Sequence, residues 1–504
     1  SAFRLYPLPC IPICNTMSGI VFLVVLLAYF AMLFTISWFT SRKANDNAYY
    51  LGNKASPWYA VAFGLIGDSL SGVTFVSVPG NVATAQFGYM QMVFGYLLGY
   101  LVIAQVLLPL YYKMNLTSIY TYLGQRFGKS AQVTGSFYFV LSRLIGAAFR
   151  LYVSATVLQL FIFDQWNIPF EITVSVVIIL ILLYTYKGGI KTLVWTDTLQ
   201  SSFLLAGVLL SILVIAQAMH LNVGGIVQTV RDSPYSQIFF WDAKAPNYFF
   251  KQFISGALIA IVMTGLDQNM MQKNLSMRSL PDAKKNIMWF SVVLIFINLF
   301  FVALGAFLYA YAQSLSLELP ARADHLFPIL ALDHLGTFAA IVFILGIAAA
   351  TFSSADSVLT TLTTSFCIDV LGWDTTQTET AHHKRTRHIV HIGFAAALLL
   401  VIVLFNAINN DSVINQVFVA AGYTYGPLLG LFAFGIGSKR LLRNAWVLPV
   451  CLVPPVLCYY INSHAAAWFN GYQIGYELLL MNGILTYLGL LLISKPANTL
   501  AVKM

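Results

Sequence analysis

Residues 64–80 read Gly64-Leu-Ile-Gly67-Asp68-Ser69-Leu70-Ser71-Gly72-Val-Thr74-Phe-Val-Ser-Val-Pro79-Gly80, in the middle of an otherwise apolar run. Glycines, small hydroxyls and an aspartate at that depth mark a helix that breaks. Free backbone groups inside a bilayer are tolerated only where they line a cavity or coordinate something. Close helix packing by small residues is the alternative, but packing has no use for the Asp68 carboxylate. A second apolar run, about 336 to 370, carries Ala350-Thr-Phe-Ser353-Ser354-Ala-Asp356-Ser357. An aspartate at a membrane-helix centre costs about 2.5 to 3.5 kcal/mol unless it meets water, a partner or an ion. Positions 350, 353, 354 and 357 are three and four apart and share one helix face. The two stretches together point to cation handling within a membrane.

The composition agrees. Of 504 residues, 59% are hydrophobic and 9% charged, against about 25% charged in soluble domains. Spans of about 20 apolar residues fall near 19–41, 57–80, 87–112, 131–163, 171–187, 193–219, 249–273, 289–313, 336–370, 388–409, 412–436, 444–462 and 476–494. The expectation is an all-α membrane protein of about thirteen spans. Twenty of the 27 lysines and arginines fall on one side, among them Arg42, Lys43, Lys113, Lys187, Lys273, Arg278, Lys384 and Lys439. By the positive-inside rule that side is cytoplasmic, which leaves the N-terminus outside and the C-terminus inside, in a plasma membrane. The net charge of +9 is thereby explained by short loops beside spans, and a nucleic-acid partner is not expected. The connection at about 220–248 is too short to be a domain.

Cys367, Cys451 and Cys458 read as packing residues, and Cys10 and Cys14 could pair outside the cell. Met17, followed by an apolar run, reads as a native start. Residues 1–18 form an outer stretch, 19–494 one transport domain and 495–504 a cytoplasmic tail. Two five-helix blocks, about 57–219 and 249–436, could be inverted repeats, preceded by one helix and followed by two.

Three stretches resemble the sodium:solute symporters, which share the inverted-repeat core of the leucine transporter: residues 64–80, Tyr184-Thr-Tyr-Lys-Gly188-Gly189-Ile-Lys-Thr-Leu-Val-Trp195-Thr196-Asp197-Thr-Leu-Gln200, and the serine-rich helix from Ala348 to Ser357. A fourth, Gly265-Leu-Asp267-Gln268-Asn-Met-Met-Gln272-Lys273, is similar to the family's glutamine-containing helix end, with Lys273 where an arginine is frequent. The resemblance implies a sodium site made of the Gly67, Leu70 and Ala350 carbonyls and the Ser353 and Ser354 hydroxyls. Such neutral oxygens suit a hard monovalent ion that must leave again, although serines in helices also bond back to carbonyls one turn earlier. Asp197 should lie close by. Asp356 and Ser357 stand where some members bind a second sodium with serines, so one or two ions are implied; for Asp356 a helix-to-helix hydrogen bond is the alternative.

Substrate in this fold binds beside the broken helices. Ser69, Ser71 and Thr74 are the expected polar contacts, with Tyr89 as an aromatic wall and Asp68 and Gln268 nearby. In sialic-acid members an arginine of the fourth span grips the carboxylate with help from a glutamine; those positions fall on Gly146 and near Val93 here, a departure. Arg143 and Arg150 lie one turn either side of Gly146. Each either takes a substrate carboxylate or pairs with Asp68, Asp197 or backbone carbonyls. The reading is a monomeric sodium symporter, not an enzyme, moving a small organic solute with a preference for an anion. A sugar or amino-acid symporter, an ion channel and a sensory membrane module are the alternatives.

Overall fold

A computed structural model describes residues 19–41, 52–185, 189–373, 380–408 and 413–496. The N-terminal stretch 1–18 with Cys10, Cys14 and Met17, the basic residues Arg42, Lys43 and Lys187, Gly188, and most of the tail lie outside the described residues. The described chain is nearly all helix. Its main elements are α1 (Gly19–Ser41), α2 (Trp58–Ser69), α3 (Gly72–Gly80), α4 (Tyr89–Val102), α5 (Lys129–Leu158), α6 (Phe170–Thr185) and α7 (Gly189–Ala218). They continue with α8 (Phe249–Ala260), α9 (Gln268–Leu275), α10 (Leu280–Ser314), α11 (Gly336–Ser365) and α12 (Ala381–Ile408). The last are α13 (Val413–Thr424), α14 (Gly426–Gly437), α15 (Val447–Trp468) and α16 (Leu478–Leu492). Among the described residues, eight uninterrupted helices are long and apolar enough to cross a membrane, and three bent pairs raise that to as many as eleven. Phe170–Leu183 and Leu478–Leu492 are apolar but shorter.

The three bent pairs are the architectural signature. α2 and α3 meet at 55°, α8 and α9 at 62°, and α13 and α14 at 43°. In the first, Leu70 (φ −100°, ψ 102°) and Ser71 (φ −100°, ψ −179°) are extended, so the helical ladder stops where the glycine and hydroxyl content is highest. The second pair breaks at Leu266–Asp267, directly after a π-turn at Ile261–Gly265; such turns often mark functional sites. The first helix of each predicted five-helix block is thus a broken one. α11 runs through the centre and is buried on every side from Val342 onward apart from Leu345. Its hydroxyls Thr361, Thr363 and Thr364 satisfy themselves by bonding back one turn. α7 packs along both α2 and α11, and α1 covers them, with Tyr29 and Phe30 against the ring of Phe352 and Tyr29 also against Phe203. The connection 220–248 holds a short helix, Val223–Arg231, and an extended run whose Phe240 N–H donates to Gln91.

Candidate functional site at the helix breaks

The first break faces a cavity of about 90 Å³. Every expected substrate contact lines it: Ser69, Ser71, Thr74, Tyr89, Arg143 and Arg150, together with Asp68. The rest of its wall comes from residues that sequence reasoning did not single out, notably Tyr96, Tyr100, Thr264, Asn298 and Phe418. Tyr89 and Phe418 stand 6.5 Å apart, ring to ring. The helical spacing of Tyr96 and Tyr100, one turn apart and below Tyr89, was the available signal.

The two arginines have separate fates. Arg143 forms a two-pronged pair with Asp267, Nε to Oδ2 at 2.5 Å and Nη2 to Oδ1 at 2.7 Å. The same carboxylate accepts the Tyr425 hydroxyl at 2.8 Å and caps α9 through the Met270 N–H. The partner is therefore neither Asp68 nor Asp197, the carboxylates expected from sequence: the second break turns Asp267 toward α5. Arg150 donates to the Asp68 carbonyl at 3.3 Å and has no carboxylate partner among the described residues. It is the guanidinium in the cavity with capacity left for an anion. Gly146, between them, has nothing within 4 Å of where a side chain would begin.

Behind the cavity the end of α2 abuts α7 and α11. A Cβ on Gly67 would lie 2.6 Å from Ser201 Oγ and 3.0 Å from Ser353 Oγ, so a larger residue would displace these hydroxyls. Of the expected sodium ligands, Gly67 on α2 is thereby brought against Ser353 on α11. Ser353 Oγ donates to Asp197 Oδ1 at 3.3 Å, and Ser354 Oγ bonds back to the Ala350 carbonyl at 3.0 Å. Each hydroxyl keeps lone pairs for a cation. Asp356 accepts the Ser357 N–H on Oδ1. Ser201 Oγ and Asp68 Oδ1 are buried here without a hydrogen-bond partner.

One residue changes the picture of this region. Lys273, counted from sequence among the cytoplasmic loop charges, is 1% exposed. Its Nζ pairs with Asp68 Oδ2 and lies 2.5 Å from Asp197 Oδ2 and 2.9 Å from Ser357 Oγ. The reason is the 62° bend: α9 turns back into the protein, and a lysine that reads as the end of a straight span sits in the core. Gln268, on the same short helix, accepts the Ile119 N–H and donates to the Thr117 carbonyl; it latches the 114–120 loop onto α9.

Comparison with known proteins agrees with this geometry. Residues 49–445 match the model of the sodium:solute symporter family. The sodium/sialic acid symporter NanT of Aliivibrio fischeri is 25% identical over 490 residues, covering 92% of each chain. Human sodium-coupled monocarboxylate transporter 1 is 26% identical over 77% of this chain and 64% of its own. A substrate-bound, outward-open sialic acid symporter structure superposes with a TM-score of 0.79 at 21% identity, covering 94% of this chain and 99% of that one. The broken helices, the buried serine helix and the family match lead to one conclusion: this chain is a multi-pass membrane transporter, not an enzyme, and belongs to the sodium:solute symporter family.

Proposed function

We propose that the protein imports a small organic anion together with sodium by alternating access. The observation that carries the anion is Arg150: a cationic group on a mostly apolar cavity, bonded to a single backbone carbonyl and otherwise uncommitted. A carboxylate there gains charge-assisted, two-pronged hydrogen bonds. Ser69, Ser71 and Thr74 supply hydroxyls from the break, and Tyr89 closes one wall. Arg143, held by Asp267, positions α9 rather than the substrate. Sodium is held by the Gly67, Leu70 and Ala350 carbonyls and the Ser353 and Ser354 hydroxyls, beside Asp197. It draws the broken α2–α3 pair against α11, completes the cavity wall at Leu70 and Ser71, and so couples ion to substrate.

The blocks about 57–219 and 249–436 act as the two repeats that rock against each other, with the unit running from 19 to 494 as a monomer. The N-terminus faces outward, the C-terminus and the basic loops face the cytoplasm, and the membrane is the plasma membrane. Energy comes from the sodium concentration ratio, plus about 2.3 kcal/mol for each 100 mV per net charge moved in the cycle. The test is uptake into proteoliposomes of labelled monocarboxylates, sialic acid, sugars and amino acids, with an inward sodium gradient or with choline in its place. Sodium-dependent uptake of a carboxylate supports the reading. Uptake indifferent to sodium, or confined to neutral sugars, refutes it.

A further inference from the structure

The oxygens that a second coupling ion would use are already bound to a cation belonging to the chain. From sequence, Asp197, Asp356 and Ser357 are the set for a second sodium. In the structure the Lys273 ammonium takes Asp197 and Ser357 from that set and adds Asp68. An ammonium has three N–H donors, and here they meet three acceptors, two carboxylate oxygens and one hydroxyl. The group is coordinatively complete, 1% exposed, and enclosed by carboxylates that are 2% (Asp68) and 0% (Asp197) exposed. A charge so deep is held in place by its partners and is costly to strand. We infer that Lys273 serves as a built-in cation in place of a second sodium, so that this transporter moves one sodium ion per cycle.

Asp68, Asp197 and Lys273 sum to one negative charge, where the two carboxylates without the ammonium carry two. Asp197 faces both ways, with Oδ2 on the ammonium and Oδ1 accepting from the Ser353 hydroxyl. The other charged or titratable groups of this region are Asp356 on α11, whose Oδ1 holds the Ser357 N–H, and Tyr29 on α1. Without the ammonium, two facing carboxylates repel unless a further cation enters. Lysine suits the role better than arginine because its charge is compact and its donors point in three directions, like the ligands of a small ion.

The inference rests on the sodium-coupled reading, and its test separates the two. Paired initial uptake of labelled sodium and labelled substrate into proteoliposomes gives the ion-to-substrate ratio, and equilibrium binding of radioactive sodium to purified protein gives the count without transport. Expected are one sodium in the wild type, one in Lys273→Arg, two in Lys273→Met, and one again in the charge-balanced double variant Lys273→Met with Asp68→Asn. Two ions in the wild type, or a Lys273→Met protein that still binds and moves one, overturns the inference while leaving sodium coupling intact. If Lys273→Met is not recovered folded, the wild-type count and the double variant decide. No sodium dependence in any protein refutes the parent reading instead.

Discussion

Replacing Ser353 by alanine removes one neutral oxygen from the α11 face opposite Gly67, together with its hydrogen bond to Asp197. A hydrogen-bonding group of this kind contributes roughly 0.5 to 1.5 kcal/mol, so the sodium concentration for half-maximal uptake rises about three- to tenfold, with the maximal rate nearly kept; initial rates against sodium concentration check it. Asp197→Asn acts in the same direction and more strongly, since it also strips the Lys273 ammonium of a partner. The two arginines separate substrate binding from folding. Arg150→Gln loses a charged interaction of about 1.5 to 3 kcal/mol and raises the half-saturating carboxylate concentration at least tenfold, with thermal stability unchanged. Arg143→Gln strands the buried Asp267, a loss of about 3 to 5 kcal/mol, and lowers the unfolding temperature with or without substrate. Sequence brought out the residues here whose chemistry is out of place in lipid, Asp68 and the serine row with Asp356, and the family resemblance added Asp197. It did not bring out their partners, because Asp267 and Lys273 acquire those roles only through a bend that no single residue type encodes.

At the scale of elements, the close approach of α4 and α8 rests on small residues. A Cβ on Gly256 would lie 2.1 Å from the Met92 carbonyl oxygen, and one on Gly95 2.0 Å from that of Phe253. With no hydrophobic drive between helices in lipid, such packing supplies much of their association. Gly256→Leu forces the pair apart, costs about 1 to 3 kcal/mol as overpacking, and lowers the melting temperature of the purified protein regardless of sodium. Gly146→Ala, with open space around it, leaves it unchanged. The break between α2 and α3 was legible because glycine, serine and aspartate crowd one short stretch of an apolar run. The break between α8 and α9 was not. Its flanks read as the plain end of a span, and a lysine after an apolar run is read as a membrane boundary. The 62° bend instead places that boundary signal inside the protein.

Across the whole molecule, span existence and order followed from hydropathy, since only helices satisfy their own backbone in lipid; most predicted spans agree with observed helices to within a few residues at their ends. What hydropathy does not reveal is which helix is central: α11 is among the apolar runs, and its burial on all sides comes from how the others surround it. A carrier of this architecture that moves one sodium with a monovalent anion is electrically silent, whereas with a neutral substrate it carries one charge per cycle. Clamping proteoliposomes with potassium and valinomycin therefore leaves carboxylate uptake unaccelerated by an inside-negative potential if the ratio is one. The central claim is that oxygens from the broken α2–α3 pair and from α11 together hold sodium, and equilibrium binding of radioactive sodium to the purified protein tests it most directly. The account predicts saturable binding in the wild type that Ser353→Ala combined with Ser354→Ala weakens at least tenfold while the protein stays folded. Equal sodium affinity in the wild type and that double variant contradicts it.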